Sequence, residues 1–270
     1  MDFDPLTADF PERLEVDEEQ EALAQTQPET HSPLVLWSSN MVAELQDSTL
    51  AVSQLVIGCS TDWLALLRLV PNKLEIVGSI ILANHSLASS CLHPNLKDST
   101  CLLVRAVGQP SLLVLCQYPV PDEQAVLWAE TLYAHIKPEQ TLIFASQPSR
   151  SFSIHNSEDP CCYALMTDRA RSRASGKCRV PGLPAGQLLT GLPAALLSLC
   201  QVRQLEATML VSDQAGAQYS RLQQLQRALS ALLTTLPGQW SWLNLQEPAV
   251  RQAAKDLAAA SPAARASLYA

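Results

Sequence analysis

Charge is sparse in this sequence and unevenly placed. Only 16% of its 270 residues are charged, against 47% hydrophobic, and the formal net charge is -8. The first thirty residues hold ten acidic groups and one basic group, which leaves 16 acidic and 17 basic residues in a nearly neutral body. Phosphate binding needs concentrated Lys and Arg, so a nucleic acid is not an expected partner. Long apolar runs are also missing: no uncharged apolar stretch reaches the roughly 18 residues of a spanning helix, and no membrane insertion is expected. The start, Met1-Asp2-Phe3-Asp4, has neither a basic segment before an apolar one nor an Arg-rich, acid-poor pattern, which points to a soluble cytoplasmic protein. The eight cysteines, at 59, 91, 101, 116, 161, 162, 178 and 200, lack the dense spacing of a disulfide scaffold and read as reduced thiols. Cys161 and Cys162 are adjacent, a poor geometry for an unstrained disulfide.

Motifs for chemistry are equally scarce. There is no G-x-S-x-G elbow, P-loop, G-x-G-x-x-G after a strand or H-E-x-x-H. His85, Cys91, His93 and Cys101 offer atoms that zinc accepts, without the paired spacing that closes a tetrahedral site. Cys59 stands at a strand-to-helix turn, where a helix N-terminus lowers a thiol pKa and a distant His could serve as base; a core or turn cysteine is the plainer reading. Asp62 reads as a capping residue. The expectation is a non-enzymatic protein with no cofactor and no metal, the alternative being a small-molecule hydrolase-like α/β enzyme with Cys59 to Asp62 at the mouth of a pocket.

What is present is an α/β pattern. Residues 1–32, centred on Asp17-Glu18-Glu19-Gln20-Glu21, repel one another and lack apolar periodicity, which predicts a disordered acidic tail. Folding is expected to start near Pro33, at the short apolar run Leu34 to Trp37, and strands are predicted at Gln54 to Gly58, Leu74 to Leu82, Cys101 to Ala106 and Ser111 to Gln117, the last two joined at Gly108-Gln109-Pro110 as an antiparallel pair. Further strands are expected at Leu142 to Phe144 and Ala207 to Val211. Helices are predicted from Trp63, over Asp122 to Ile136, from Gly191, over Gln218 to Leu236 with Leu222, Leu225, Leu229, Leu232 and Leu236 on one face, and from Pro248 to about Ala260. Pro, Ser, Gly and charge break residues 147–187, so that 146–190 is expected to contain a long mobile loop, with a basic cluster of Arg169, Arg171, Arg173, Lys177 and Arg179. The expected fold is a single α/β domain over 33–260, a central mixed sheet flanked by helices, with a flexible C-terminal tail over 261–270.

Three segments carry a resemblance. Leu192-Pro193-Ala194-Ala195-Leu196-Leu197-Ser198-Leu199-Cys200-Gln201-Val202 resembles the L-P-A-A-hydrophobic-L-S-x-C-Q-V helix opening of the proteasome assembly chaperone 1 family. Leu115-Cys116-Gln117-Tyr118, followed by Asp122-Glu123-Gln124 and Trp128, is similar to that family's strand leading into an acidic helix start. The C-terminal Leu268-Tyr269-Ala270 fits the hydrophobic-Tyr-any-residue ending of proteins that dock on the proteasome core particle. About thirty residues match well, and the 162–187 segment does not align. The resemblance implies a heterodimer with proteasome assembly chaperone 2 that binds proteasome α subunits and promotes assembly of their ring. It also implies that Leu268, Tyr269 and Ala270 form the partner-binding site: the free carboxylate of Ala270 can pair with a lysine while Tyr269 and Leu268 fill a pocket.

Overall fold

The computed structural model describes residues 32–67, 69, 74–82, 100–147, 162–174, 178–213, 218–236, 240–243, 245, 248, 250 and 251. Their frame is one eight-stranded sheet. Its strands are β1 (Leu34–Trp37), β2 (Leu50–Gly58), β3 (Leu74–Ile81), β4 (Cys101–Ala106), β5 (Ser111–Cys116), β6 (Ile136–Gln147), β7 (Cys162–Met166) and β8 (Glu206–Asp213). The order across the sheet is β1-β3-β4-β5-β2-β6-β8-β7.

The four central strands β5, β2, β6 and β8 are parallel, with antiparallel strands on both flanks. Their composition explains the position. Parallel strands need cover on both faces and so read as continuous apolar runs. Leu55-Val56-Ile57, Leu112-Leu113-Val114-Leu115 and Leu142-Ile143-Phe144-Ala145 are such runs, every one of these residues being buried, and all eight residues of β8 are buried too.

Side-chain alternation divides these residues between two cores. On one face Leu55, Ile57, Ile143, Met209 and Val211 meet α3 (Ala125–His135) and α5 (Gly191–Val202) through Trp128, Leu132, Leu192 and Leu196. On the other, Val56, Leu113, Phe144 and Leu210 meet α2 (Thr61–Leu67) and α6 (Gln218–Leu233) through Trp63, Leu222, Leu225, Leu229 and Leu232. Trp63 stacks on Phe144 with ring centroids 4.3 Å apart, and its indole N–H donates to the Ala145 carbonyl at 3.0 Å. The leucine stripe of α6 from Leu222 to Leu232 is therefore core. Two short helices, α1 (Ser39–Val42) and α4 (Asp168–Arg173), complete the set.

Gln54 is among the polar residues buried in the sheet. Gln54 of β2 accepts from the Ser111 hydroxyl at 3.2 Å and from the Trp242 indole N–H at 2.6 Å. A buried amide without partners would be costly; here it ties the turn at Ser241–Leu243 to the sheet centre.

The sequence expectations need two corrections. The segment 146–190 is not a loop throughout: β7 pairs with β8, and α4 follows directly, N-capped by the Thr167 hydroxyl, which accepts from the Ala170 N–H at 3.3 Å. Short Cys-Tyr-Ala-Leu-Met offers little periodicity, and its strand state comes from the open edge of β8. The helix over 122–136 also ends one residue early, because Ile136 already pairs with Leu50 as the first residue of β6. Pro138 stands in that strand because β8 joins only at Gln140, leaving an open side that a nitrogen without a hydrogen can face. The N-terminal tail, the C-terminal tail, and the helix beyond Arg251 lie outside the described residues.

A tight approach holds edge strand β1. A Cβ on Gly78 would lie 2.5 Å from the Leu36 carbonyl oxygen, beside the register shift between Ile76 and Gly78. Gly78→Ala should therefore lower unfolding stability by about 1–3 kcal/mol in urea titration, since backbone and not a movable side chain is in the way.

Candidate functional site

An open crevice lies at the carboxyl ends of the parallel strands. From the end of β2 the chain turns at Ser60 into α2 on one face, whereas from β5 it passes through the 3-10 turn Asp122–Gln124 into α3 on the other. Adjacent parallel strands that send their chains to opposite faces leave a crevice between them. Here it has a volume of about 590 Å³ and is lined by Cys59, Cys116, Tyr118, Asp122, Ser146 and Gln147, with residues 186 to 193 along one wall. Behind it, hydroxyls form a ladder across three strand ends, Ser60 to Ser146 at 2.8 Å and Ser146 to Ser212 at 2.6 Å.

Three thiols meet at this end of the sheet. Cys101 and Cys116 are opposed on β4 and β5, and Cys59 follows the strand beside β5. Hydrogen bonding of the protonated Cys116 thiol to Cys101 and Cys59, together with burial, holds its pKa well above the ordinary value, which suppresses the nucleophilic thiolate. The histidine base that Cys59 would need is not assembled among the described residues. His135 ends α3 and contacts the Ser48 carbonyl at the start of β2, while Cys59 lies past its far end, roughly 30 Å away at the rise of a strand. Asp62 is buried in the first turn of α2, where a carboxylate suits the helix dipole. Of the zinc-compatible set, Cys101 is buried in β4, and His85, Cys91 and His93 lie outside the described residues.

The basic cluster also has structural work. Arg173 pairs with the buried Glu206 carboxylate at 2.9 Å, Arg171 with Asp168 at 3.2 Å, and Arg169 donates to the Gln204 carbonyl at 3.0 Å. Gln201 of α5 bonds Asp168 on both its backbone N–H and its carboxylate, which docks α4 on α5. Within the segment that carries the strongest resemblance, Cys200 donates to the Tyr133 hydroxyl at 3.0 Å and joins α5 to α3.

Leu268, Tyr269 and Ala270 lie outside the described residues. The crevice was not visible in the sequence as a site, because Asp122 reads there as a helix start and Gln147 as the residue after a strand; only the sheet order brings them together.

Fold and site thus define a mixed α/β protein with a crevice at the carboxyl ends of its parallel strands. Comparison with known proteins narrows this. The PAC1 family model, described as proteasome assembly chaperone 4, matches residues 8–238. The chain therefore belongs to the proteasome assembly chaperone family. It is 24% identical over 187 residues to proteasome assembly chaperone 1 of Xenopus laevis, a match covering 62% of this chain and 62% of the length of that relative. Its fold is similar to that of a Thermoplasma acidophilum protein of unknown function, with a TM-score of 0.57, 11% identity, and coverage of 82% of this chain and 88% of the other. It is also similar to that of Pyrococcus furiosus PbaB, an archaeal proteasome activator, with a TM-score of 0.55, 12% identity, and coverage of 84% and 96%.

Burial pushes the Cys200 thiol up from 9.0 to about 11, and burial also raises the Tyr133 phenol. The folded state keeps the Cys200 proton where the unfolded chain has lost it. The associated stability is complete below about pH 9 and declines as pH rises from 9 to 11, by on the order of 2 kcal/mol for Cys200. Urea titrations from pH 8 to 11 should show that decline, and Cys200→Ala should flatten its slope while lowering stability at every pH.

Proposed function

We propose that this chain is a non-enzymatic chaperone that promotes assembly of the proteasome α-subunit ring, working in the cytoplasm as a heterodimer with proteasome assembly chaperone 2. The observation that carries this reading is the family match over residues 8–238, supported by a fold shared with PbaB.

The helical layer formed by α3 and α5 suits a heterodimer. α5 contains no charged residue, and α3 has one acidic residue, Glu130, and a histidine at its end. Helices that are apolar on all sides are normally covered on all sides, yet Val126 of α3 and Val202 of α5 are 59% and 78% exposed. A partner laid over these helices would bury them.

The C-terminal tripeptide is the proposed docking element. Leu268 and Tyr269 supply apolar and ring contacts and Ala270 a terminal carboxylate for a lysine between two α subunits. Binding energy concentrated in a few such groups is sensitive to their removal. The test is affinity capture from cell lysate with the full chain and with a form ending at Ser267, reading proteins by mass spectrometry. The full chain should recover α subunits and a second chaperone; the shortened form should keep the chaperone and lose α subunits by roughly tenfold or more. Loss of the second chaperone on truncation would make the tail a part of the heterodimer and overturn its docking role.

A further inference from the structure

We propose that the crevice at the carboxyl ends of β2, β5 and β6 is a binding site for an ammonium group carried on an aliphatic stem, as in a lysine side chain or a free diamine. Its position is that of ligand sites in open α/β sheets, and its volume of about 590 Å³ falls within the usual range for small-ligand sites.

The polar lining selects the charge. Asp122 contributes a carboxylate, and among the described residues that line the cavity there is no Lys, Arg or His. Gln147 is only 8% exposed; its amide N–H donates to the Leu188 carbonyl at 3.2 Å, but its Oε1 has no hydrogen-bond partner among the described residues. A buried acceptor of this kind is rare and is relieved by an arriving donor. An anion at the α5 N-terminus would meet the Asp122 carboxylate. The Asp122 Oδ1 lies 2.8 Å from where a Cβ on Gly191 would be, so only glycine admits the carboxylate there, and the N-cap residue Thr190 makes no capping bond of its own. The site is thus acidic and rich in acceptors at its floor.

The walls select the stem. Val120 and Leu192 are buried apolar residues of the lining, and Leu188 stands 79% exposed on its edge. An alkyl chain can lie along such residues while its charged head reaches the polar end.

The test is an NMR titration of the isotope-labelled full chain, following the Gln147 side-chain amide and the Gly191 N–H. The probes are N-acetyl-lysine methylamide, its neutral norleucine counterpart, its glutamate counterpart, and 1,5-diaminopentane. The lysine probe should shift both signals saturably, the norleucine and glutamate probes should bind at least tenfold more weakly, and Asp122→Asn should weaken the lysine probe at least tenfold. Gln147→Met, which keeps the stem and removes the acceptor, should give a similar loss if Asp122→Asn does not fold. Tighter binding of the diamine would identify a free amine as the occupant, and tighter binding of capped lysine a protein side chain. Equal binding of the norleucine or glutamate probe, an unchanged affinity in both variants, or no saturable shift with any probe would overturn the proposal. None of these outcomes depends on recovery of α subunits, so this site and the chaperone reading stand or fall separately.

Discussion

Burial of four parallel strands on both faces is the constraint from which the architecture follows. A strand such as β5, in which every residue is buried, cannot border water on either side. Helices must cover both faces, and the alternation along each strand then separates Leu55 and Ile57 from Val56, and Ile143 from Phe144, into opposite cores. The same requirement obliges the chain to leave neighbouring strands β2 and β5 toward opposite faces. The crevice containing Asp122 and Gln147 is a geometric consequence of that division, not of any local motif.

That origin explains what the sequence could reveal. Leu112 to Leu115 and Leu222 to Leu232 announce a buried strand and an amphipathic helix, because burial leaves a run or a period that local reading detects. Cys162 to Met166 leaves neither: its strand state depends on β8 offering an unpaired edge about forty residues later. Pro138 similarly argues against a strand until the staggered start of β8 is known. The arginines of α4 read as a solvated cluster, whereas Arg173 answers a carboxylate buried at Glu206. For the crevice, no signal marked Gln147, since its partnerless oxygen is a fact of packing alone.

Several of the described polar side chains hold the protein's own elements together. Cys200 and Tyr133 join two helices, Cys116 is held protonated among neighbouring thiols, and Ser60, Ser146 and Ser212 tie strand ends together. The helices α3 and α5 present exposed apolar residues, Val126 and Val202, on their outer sides. Membership of the proteasome assembly chaperone family gives those surfaces a context.

Native mass spectrometry of the chain purified with co-expressed proteasome α subunits and a second assembly chaperone tests the central claim most directly. The account predicts a complex containing one copy of this chain, one of the second chaperone, and several α subunits. A chain that flies alone or only with itself, while the α subunits assemble without it, would contradict that account.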